Sequence, residues 1–324
     1  MSLSNGVCLH TLLQTLASSL IHTSQQDAFT TGCAASKAPN ETCVLTGSAS
    51  GELRLWNLVD YICMAVLRAP KSGRVTAVVT AENDGTKTAI AAFEDGSIKC
   101  YERTGLQRQL WSITEAHKRS CTCLSVFADS GAQFVVSGGG DSLVRVWLLR
   151  NREMITQFNE HRKELCAVLV DFNEPHILHT AAVDGAVISF DLKSGRQRMS
   201  HTSIPSSSST CITQRLDSER EIIVADRRGR LAYFDVDLRE AVAVVQEPSK
   251  SAILCCAISP CGKFLATAGD DCTLKILLVS DGELLSVCAG HSAEVTWLAW
   301  TAGGSQLITG GADACLCIWT FHLG

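Results

Sequence analysis

His117, Ser137 and Asp141 are a base, a hydroxyl and a carboxylate. Together they hold the three functions of a hydrolytic triad, in which the carboxylate orients the base and the base activates the hydroxyl. The set is not unique in the chain. His291, Thr309 and Asp313 repeat it, and His161, Thr180 and Asp184 repeat it again; an aromatic residue closes each set, Trp147, Trp319 and Phe190 respectively. A catalytic centre is needed once, and no G-x-S-x-G elbow exposes a nucleophile. The recurrence argues against catalysis, and the expectation is no catalytic residue and no enzyme.

Other chemical signals are weaker still. The stretch "SGGGDS" at 137–142 is glycine-rich but lacks the G-K-[ST] of a phosphate loop and reads as a β-turn. The remaining histidines, His10, His22, His176, His179, His201 and His322, form no i, i+4 metal pair. The sixteen cysteines are scattered through a long chain, and the C-x-C pairs Cys121/Cys123 and Cys315/Cys317 do not match zinc spacings. They read as reduced apolar fillers, with no metal and no cofactor expected. A formal net charge of -5 gives no general attraction for nucleic acid or anionic membranes. No apolar run reaches the roughly 18 residues of a membrane span. The first cation is Lys37, so a basic leader is not expected and a cytoplasmic or cytoskeletal location is.

The aromatic residues that close the three sets belong to a longer series. "LRLW" at 53–56, "IKCY" at 98–101, "VRVW" at 144–147, "VISF" at 187–190, "LAYF" at 231–234, "LKIL" at 274–277 and "LCIW" at 316–319 follow one another at intervals of 42 to 46 residues. One and three places before each final residue the chain is apolar, Ser189 excepted, as a strand with a buried face requires. A short apolar strand and a tight turn precede each segment, as in "FLATAGDD" and "LITGGAD". An earlier and a later strand complete each unit. Four short antiparallel strands at this period describe a propeller blade, and seven units fill one domain.

These residues resemble the WD40 repeat family over nearly the whole chain, most closely in "GHSAEVTWLAWTAGGSQLITGGADACLCIW". Units three, four, six and seven fit well; one, two and five depart from the pattern, unit five having "VADRRGR" where a Ser or Thr and an Asp belong. The resemblance implies an all-β fold, a seven-bladed WD40 β-propeller of four-stranded antiparallel blades over about 28–70, 73–114, 118–158, 162–203, 208–247, 251–289 and 293–320. It also implies that an N-terminal strand completes the last blade. "GVCLHTLLQT" at 6–15 is expected to be that strand, with an amphipathic helix over 7–21 as the alternative. The recurring sets become structural tetrads in which Trp N–H, Ser or Thr hydroxyl, His and Asp hydrogen-bond in turn. Blade 4 would be incomplete, because Phe190 has no indole N–H.

Without chemistry, function rests on the surface. The resemblance places Lys118, Arg119, Arg162, Lys163, Arg227 and Arg228 on one face of blades 3 to 5, a candidate site for an acidic peptide, with Glu160, Glu164 and Asp226 as neighbours able to neutralise it. On the opposite face, Arg103, Arg108, Arg150, Arg152, Lys193, Arg196 and Arg198 stand against Asp235, Asp237, Glu240, Asp281 and Glu283. "SIPSSSST" at 203–210 reads as a flexible loop open to phosphorylation. Two roles fit. One is a non-catalytic scaffold within a multiprotein assembly; the divergent blades are similar in style to axonemal propellers of cilia and flagella, which implies tubulin or other axonemal proteins as partners. The other is a reader of acidic or modified peptides, of chromatin or signalling type, or a substrate adaptor of a ubiquitin ligase. No small-molecule substrate is expected.

Overall fold

The computed structural model describes residues 15–22, 28–34, 43–83, 86–201, 208–215 and 220–321. These form twenty-eight strands and one 3-10 turn, Pro70–Ser72. Blade 1 comprises β2 to β5 (Phe29–Ala34, Cys43–Ser48, Glu52–Asn57, Ile62–Arg68), and blade 2 β6 to β9 (Val75–Asn83, Thr86–Phe93, Ile98–Glu102, Gln109–Ile113). Blade 3 is β10 to β13 (Cys121–Asp129, Ala132–Gly139, Val144–Leu148, Met154–Phe158), and blade 4 β14 to β17 (Leu165–Val170, Ile177–Ala182, Val187–Asp191, Arg196–His201). Blade 5 is β18 to β21 (Ser209–Gln214, Glu221–Asp226, Arg230–Asp235, Ala241–Gln246), and blade 6 β22 to β25 (Ile253–Ile258, Phe264–Gly269, Thr273–Leu278, Leu284–Ala289). β26 to β28 (Val295–Trp300, Gln306–Gly311, Cys315–Phe321) make three strands of blade 7, and β1 (Thr15–His22) is the fourth.

The closing strand thus lies downstream of the expected one. β1 pairs antiparallel with β28 from Thr15 opposite Phe321 to His22 opposite Cys315. Only Thr15 is shared with the segment at 6–15, whose other residues fall outside the described residues, and the helix alternative does not hold from Thr15 onward. Neither "GVCLHTLLQT" nor "TLASSLIH" carries a clean alternation of apolar residues, so pattern alone does not choose between them. Adding Thr15–His22 covers the outer edge of β28 and leaves only a short link to β2, the economical way to join neighbouring elements.

Burial follows the position of each strand within its blade. Middle strands are sandwiched between neighbouring blades and buried on both faces, as in Ile177–Ala182, whereas an outer strand such as Ile62–Arg68 alternates with the pleat. Seven apolar clusters form the core, each straddling one joint between blades. The innermost strands touch in sequence around the axis, and β26 meets β2 to close the ring. At these joints a small and a larger residue of neighbouring first strands share a cluster: Ala77 and Leu124, Cys123 and Val168, Ala167 and Ile212, Cys255 and Leu298. Between blades 5 and 6 both are cysteines, Cys211 and Cys256, with Sγ atoms 2.9 Å apart. Fourteen cysteines, Cys211 and Cys256 among them, are free.

Two bulges recur in every blade. The first strand slips by one residue near its start, as between Cys121 and Cys123, and the extra residue turns its side chain back onto the second strand. Thr122 donates there to the Gly138 carbonyl at 3.0 Å, and Thr296 to that of Gly310 at 3.1 Å. The second slip falls beside the recurrent aromatic position, as between Val146 and Trp147 or Ser189 and Phe190. The period read in the sequence is therefore a period of backbone geometry as well as of side-chain type.

Candidate functional site

In blade 3 the recurring residues meet. The Trp147 indole donates to Ser137 Oγ at 2.9 Å, Ser137 Oγ lies 2.8 Å from His117 Nε2, and His117 Nδ1 lies 2.8 Å from Asp141 Oδ1. Blade 7 repeats the chain. Trp319 donates to Thr309 at 2.9 Å, Thr309 lies 2.7 Å from His291 Nε2, and His291 Nδ1 lies 3.0 Å from Asp313 Oδ2. One neutral tautomer satisfies every bond: Nδ1–H donates to the carboxylate, and the hydroxyl donates to Nε2 while accepting from the indole. Burial alone would lift the Asp141 carboxyl, but the bonds from His117, the Lys118 amide and Arg145 hold it below the usual carboxylate range. Asp313 is lowered in the same way, with the Ser292 amide and His291 outweighing burial. Burial pushes the His117 imidazole down, partly opposed by Asp141. Ser137 and Thr309 have no exposed surface, so neither hydroxyl is placed to meet a substrate.

Blade 4 keeps half of the chain. His161 Nε2 lies 2.7 Å from Thr180 Oγ1, but that hydroxyl donates to the Ile188 carbonyl, and Phe190 meets the histidine only in a T-shaped ring contact. Among the described residues His161 Nδ1 has no partner, and Asp184 accepts instead from the Ala186 amide. The reason lies two residues after the hydroxyl. A Cβ at Gly139 would stand 2.1 Å from His117 Nδ1, and one at Gly311 2.8 Å from both His291 Nδ1 and Asp313 Oδ1. Glycine there lets ring and carboxylate meet, whereas blade 4 has Ala182 in that position. Burial pushes His161 down to about 4 against the opposing charge of Asp184. The unfolded chain then takes up this proton near pH 6.5 and the folded chain near 4, so His161's contribution is complete above pH 6.5 and is lost as pH falls toward 4. That difference is worth about 3 kcal/mol. His161→Gln is expected to flatten this part of the stability profile in urea melts between pH 7 and 4. Ala182→Gly should let His161 reach Asp184 and raise its NMR titration midpoint by at least one unit; an unmoved midpoint would refute the steric explanation.

Several networks escaped the sequence reading. In blade 1, Trp56 donates to Thr46 at 2.9 Å, and Arg54 pairs with Glu52 at 2.6 Å. Blade 5 turns Asp226 inward onto Arg230 at 2.7 Å. Blade 6 substitutes Glu247 for the histidine: it accepts from Thr267 at 2.7 Å and Lys275 at 3.0 Å, and Lys275 also pairs with Asp271. The signal was a cation two places before the series residue, at Arg54, Lys99, Arg145 and Lys275. In three of these four a carboxylate of the adjacent turn or strand answers it.

The largest network joins blades 4 and 5. Asp171 Oδ2 lies 3.1 Å from His179 Nε2, His179 Nδ1 2.8 Å from Ser189 Oγ, Ser189 3.2 Å from His201 Nε2, and His201 Nδ1 donates to the Leu238 carbonyl at 2.8 Å. Gln214 donates to Asp171 at 3.0 Å. Aspartate, histidine and serine again stand in catalytic order, but His179 and Ser189 are fully buried.

All six basic residues proposed for partner binding are exposed. Lys118 and Arg119 precede β10, Arg162 and Lys163 precede β14, and Arg227 and Arg228 lie in the turn between β19 and β20. Among the described residues no carboxylate pairs with them. Of the three neighbours credited with neutralising them, Asp226 is 2% exposed and committed to Arg230, so it screens them less than its place in the sequence suggests. On the other face the opposed charges meet across the blade 4–5 joint, where Arg198 and Arg220 bind Asp237 at 2.7 and 2.9 Å. Arg103 is buried. Residues 203–207 of the serine-rich stretch lie outside the described residues.

Ringed four-stranded blades with indole–hydroxyl–imidazole–carboxylate chains define a WD40-type propeller, a fold that serves generally as a non-catalytic scaffold for protein interaction. Comparison with known sequences agrees: the family model "WD domain, G-beta repeat" matches residues 108–147, 240–276 and 282–320, so three stretches of this seven-bladed propeller match the WD40 repeat. The chain is 25% identical over 276 residues to cilia- and flagella-associated protein 52 of Sus scrofa, covering 84% of this chain and 43% of that protein. With the Homo sapiens protein of that name it shares 26% identity over 238 residues, 72% of this chain and 37% of the relative. The periodic tryptophan protein 2 homolog of Dictyostelium discoideum is 22% identical over 278 residues, 85% of this chain and 29% of that protein. The chain thus spans less than half the length of these relatives.

Proposed function

We propose that this propeller is an interaction module of a protein assembly of the cilium or flagellum, docking an acidic partner through the basic loops of blades 3 to 5. The names of its relatives supply the setting, and a location in the cytoplasm on the ciliary cytoskeleton follows from that reading. The observation that carries the docking surface is the set of six exposed cations on three adjacent blades with no described carboxylate bound to them. Guanidinium and ammonium groups so placed attract carboxylates, and the acidic tails of tubulin are partners of suitable chemistry. Exposed charges act through a screened field, so binding should weaken steeply with added salt. The Arg119→Glu, Arg162→Glu, Arg228→Glu triple variant is expected to lose at least tenfold in affinity for tubulin in a sedimentation assay while melting like the parent. Wild-type affinity in that variant would rule the surface out.

A further inference from the structure

Blades 2 and 3 part near their outer ends to leave a cleft of about 400 Å³, at the far end of β12 from the basic loops. Arg108, just ahead of β9, lines one side, and Arg150, in the turn after β12, lines the other. Both are exposed, and among the described residues neither pairs with a carboxylate. Leu110, Trp111 and Leu149 give the cleft apolar walls, and Glu102 is its one acidic residue.

We propose that this cleft binds an acidic polypeptide segment of a partner, seating one carboxylate between Arg108 and Arg150 and an apolar neighbour against Trp111. Two guanidinium groups opposed by one carboxylate leave a net charge near +1, which suits a single glutamate or aspartate better than a doubly charged phosphate. The apolar walls need something beyond the charge to cover them, and the volume lies at the small end of the range for binding pockets, room for a few side chains. β9 is the outer strand of its sheet, so its free edge offers main-chain groups to an extended segment entering beside it. Extended backbone, one acid and one apolar side chain together describe a peptide. This site is separate from the basic loops and does not depend on them.

An array of fluorescein-labelled pentapeptides, each pairing a central glutamate with one apolar neighbour, tests the assignment by anisotropy on the intact chain. At least one peptide should bind saturably, weaken tenfold or more when glutamine replaces its glutamate, and weaken tenfold or more with the Arg108→Gln, Arg150→Gln variant. The Arg119→Glu, Arg162→Glu, Arg228→Glu variant should bind the same peptide as the parent does, which separates this cleft from the opposite face. Full binding by the Arg108, Arg150 variant overturns the proposal. So does a binder lost only in the triple variant, or an array without saturable binding below about 1 mM. Both substituted residues are exposed, so an unchanged melting temperature serves as the folding control.

Discussion

Asp171→Ala is expected to lower the free energy of unfolding by roughly 3–5 kcal/mol, the range for removing one partner from a buried charged network. The carboxylate is 5% exposed and accepts four bonds. Its Oδ1 holds the Asn173 and Glu174 amides, each at 2.8 Å, which shapes the turn between β14 and β15. Its Oδ2 holds His179 and, across the joint, Gln214 of blade 5. Burial would raise this carboxyl, yet the bonds from His179, Gln214 and the Asn173 amide keep it below the usual range. Its contribution is therefore present above the ordinary carboxylate range and lost only in stronger acid. Beyond it, four hydrogen bonds run from the carboxylate to the Leu238 carbonyl. Ser189, with one hydroxyl proton, lies between the two imidazoles and links them into one chain. Burial pushes His201, at the far end, toward its neutral form, partly opposed by the Leu238 carbonyl. Asp171→Asn keeps an oxygen for the Asn173 and Glu174 amides but sets its NH₂ against that of Gln214, so it should cost roughly half as much as alanine. Urea titrations at pH 7 decide it: a loss below about 1 kcal/mol for Asp171→Ala would mean that the network contributes little to the joint.

The seven-fold repeat was legible because the strand that ends in Trp56, Trp147 or Trp319 must bury both faces in every blade, so selection for packing wrote the same pattern at each turn of the ring. Closure was legible in kind but not in place: β1 pairs with a strand about three hundred residues away, and neither of two successive stretches carries an alternation that would single it out. The tetrads of blades 3 and 7 could be read because their four members fall within one unit in a fixed order. Phe190 showed that blade 4 would lack the indole bond, but the loss of the His161–Asp184 bond could not be read from those four positions, because it turns on the Cβ of Ala182, an apolar residue outside the set. The Asp171 network was hidden for another reason. Its members come from a turn, three strands and the neighbouring blade, so only packing assembles them. Ser189, the one polar residue among the fourteen apolar positions, was its trace in the sequence. Asp226 shows the converse, a charge placed on the surface by sequence order that the fold turns inward to Arg230.

Glu247 and Lys275 should show the other large effect, with a signature that identifies its cause. Glu247 is 1% exposed and Lys275 5%, so the pair that replaces the histidine chain in blade 6 is an ion pair taken almost wholly out of water. Glu247 also accepts from Thr267 and from Ser249 at 2.8 Å, whereas Lys275 has Asp271 as a second carboxylate. Removing one partner strands the other charge in a medium that solvates it poorly, and Lys275→Met or Glu247→Leu alone is expected to cost roughly 3–5 kcal/mol. Exchanging both for apolar residues removes the stranded charge together with its partner, and Leu277 beside the site already supplies an apolar surface where other blades carry an aromatic residue. The double variant should therefore lie within about 1 kcal/mol of the parent, a coupling energy of several kcal/mol in the double-mutant cycle. Losses in the two single variants that simply add in the double would show that each residue acts through its own contacts, and that the pair is not the unit holding blade 6 to its neighbours.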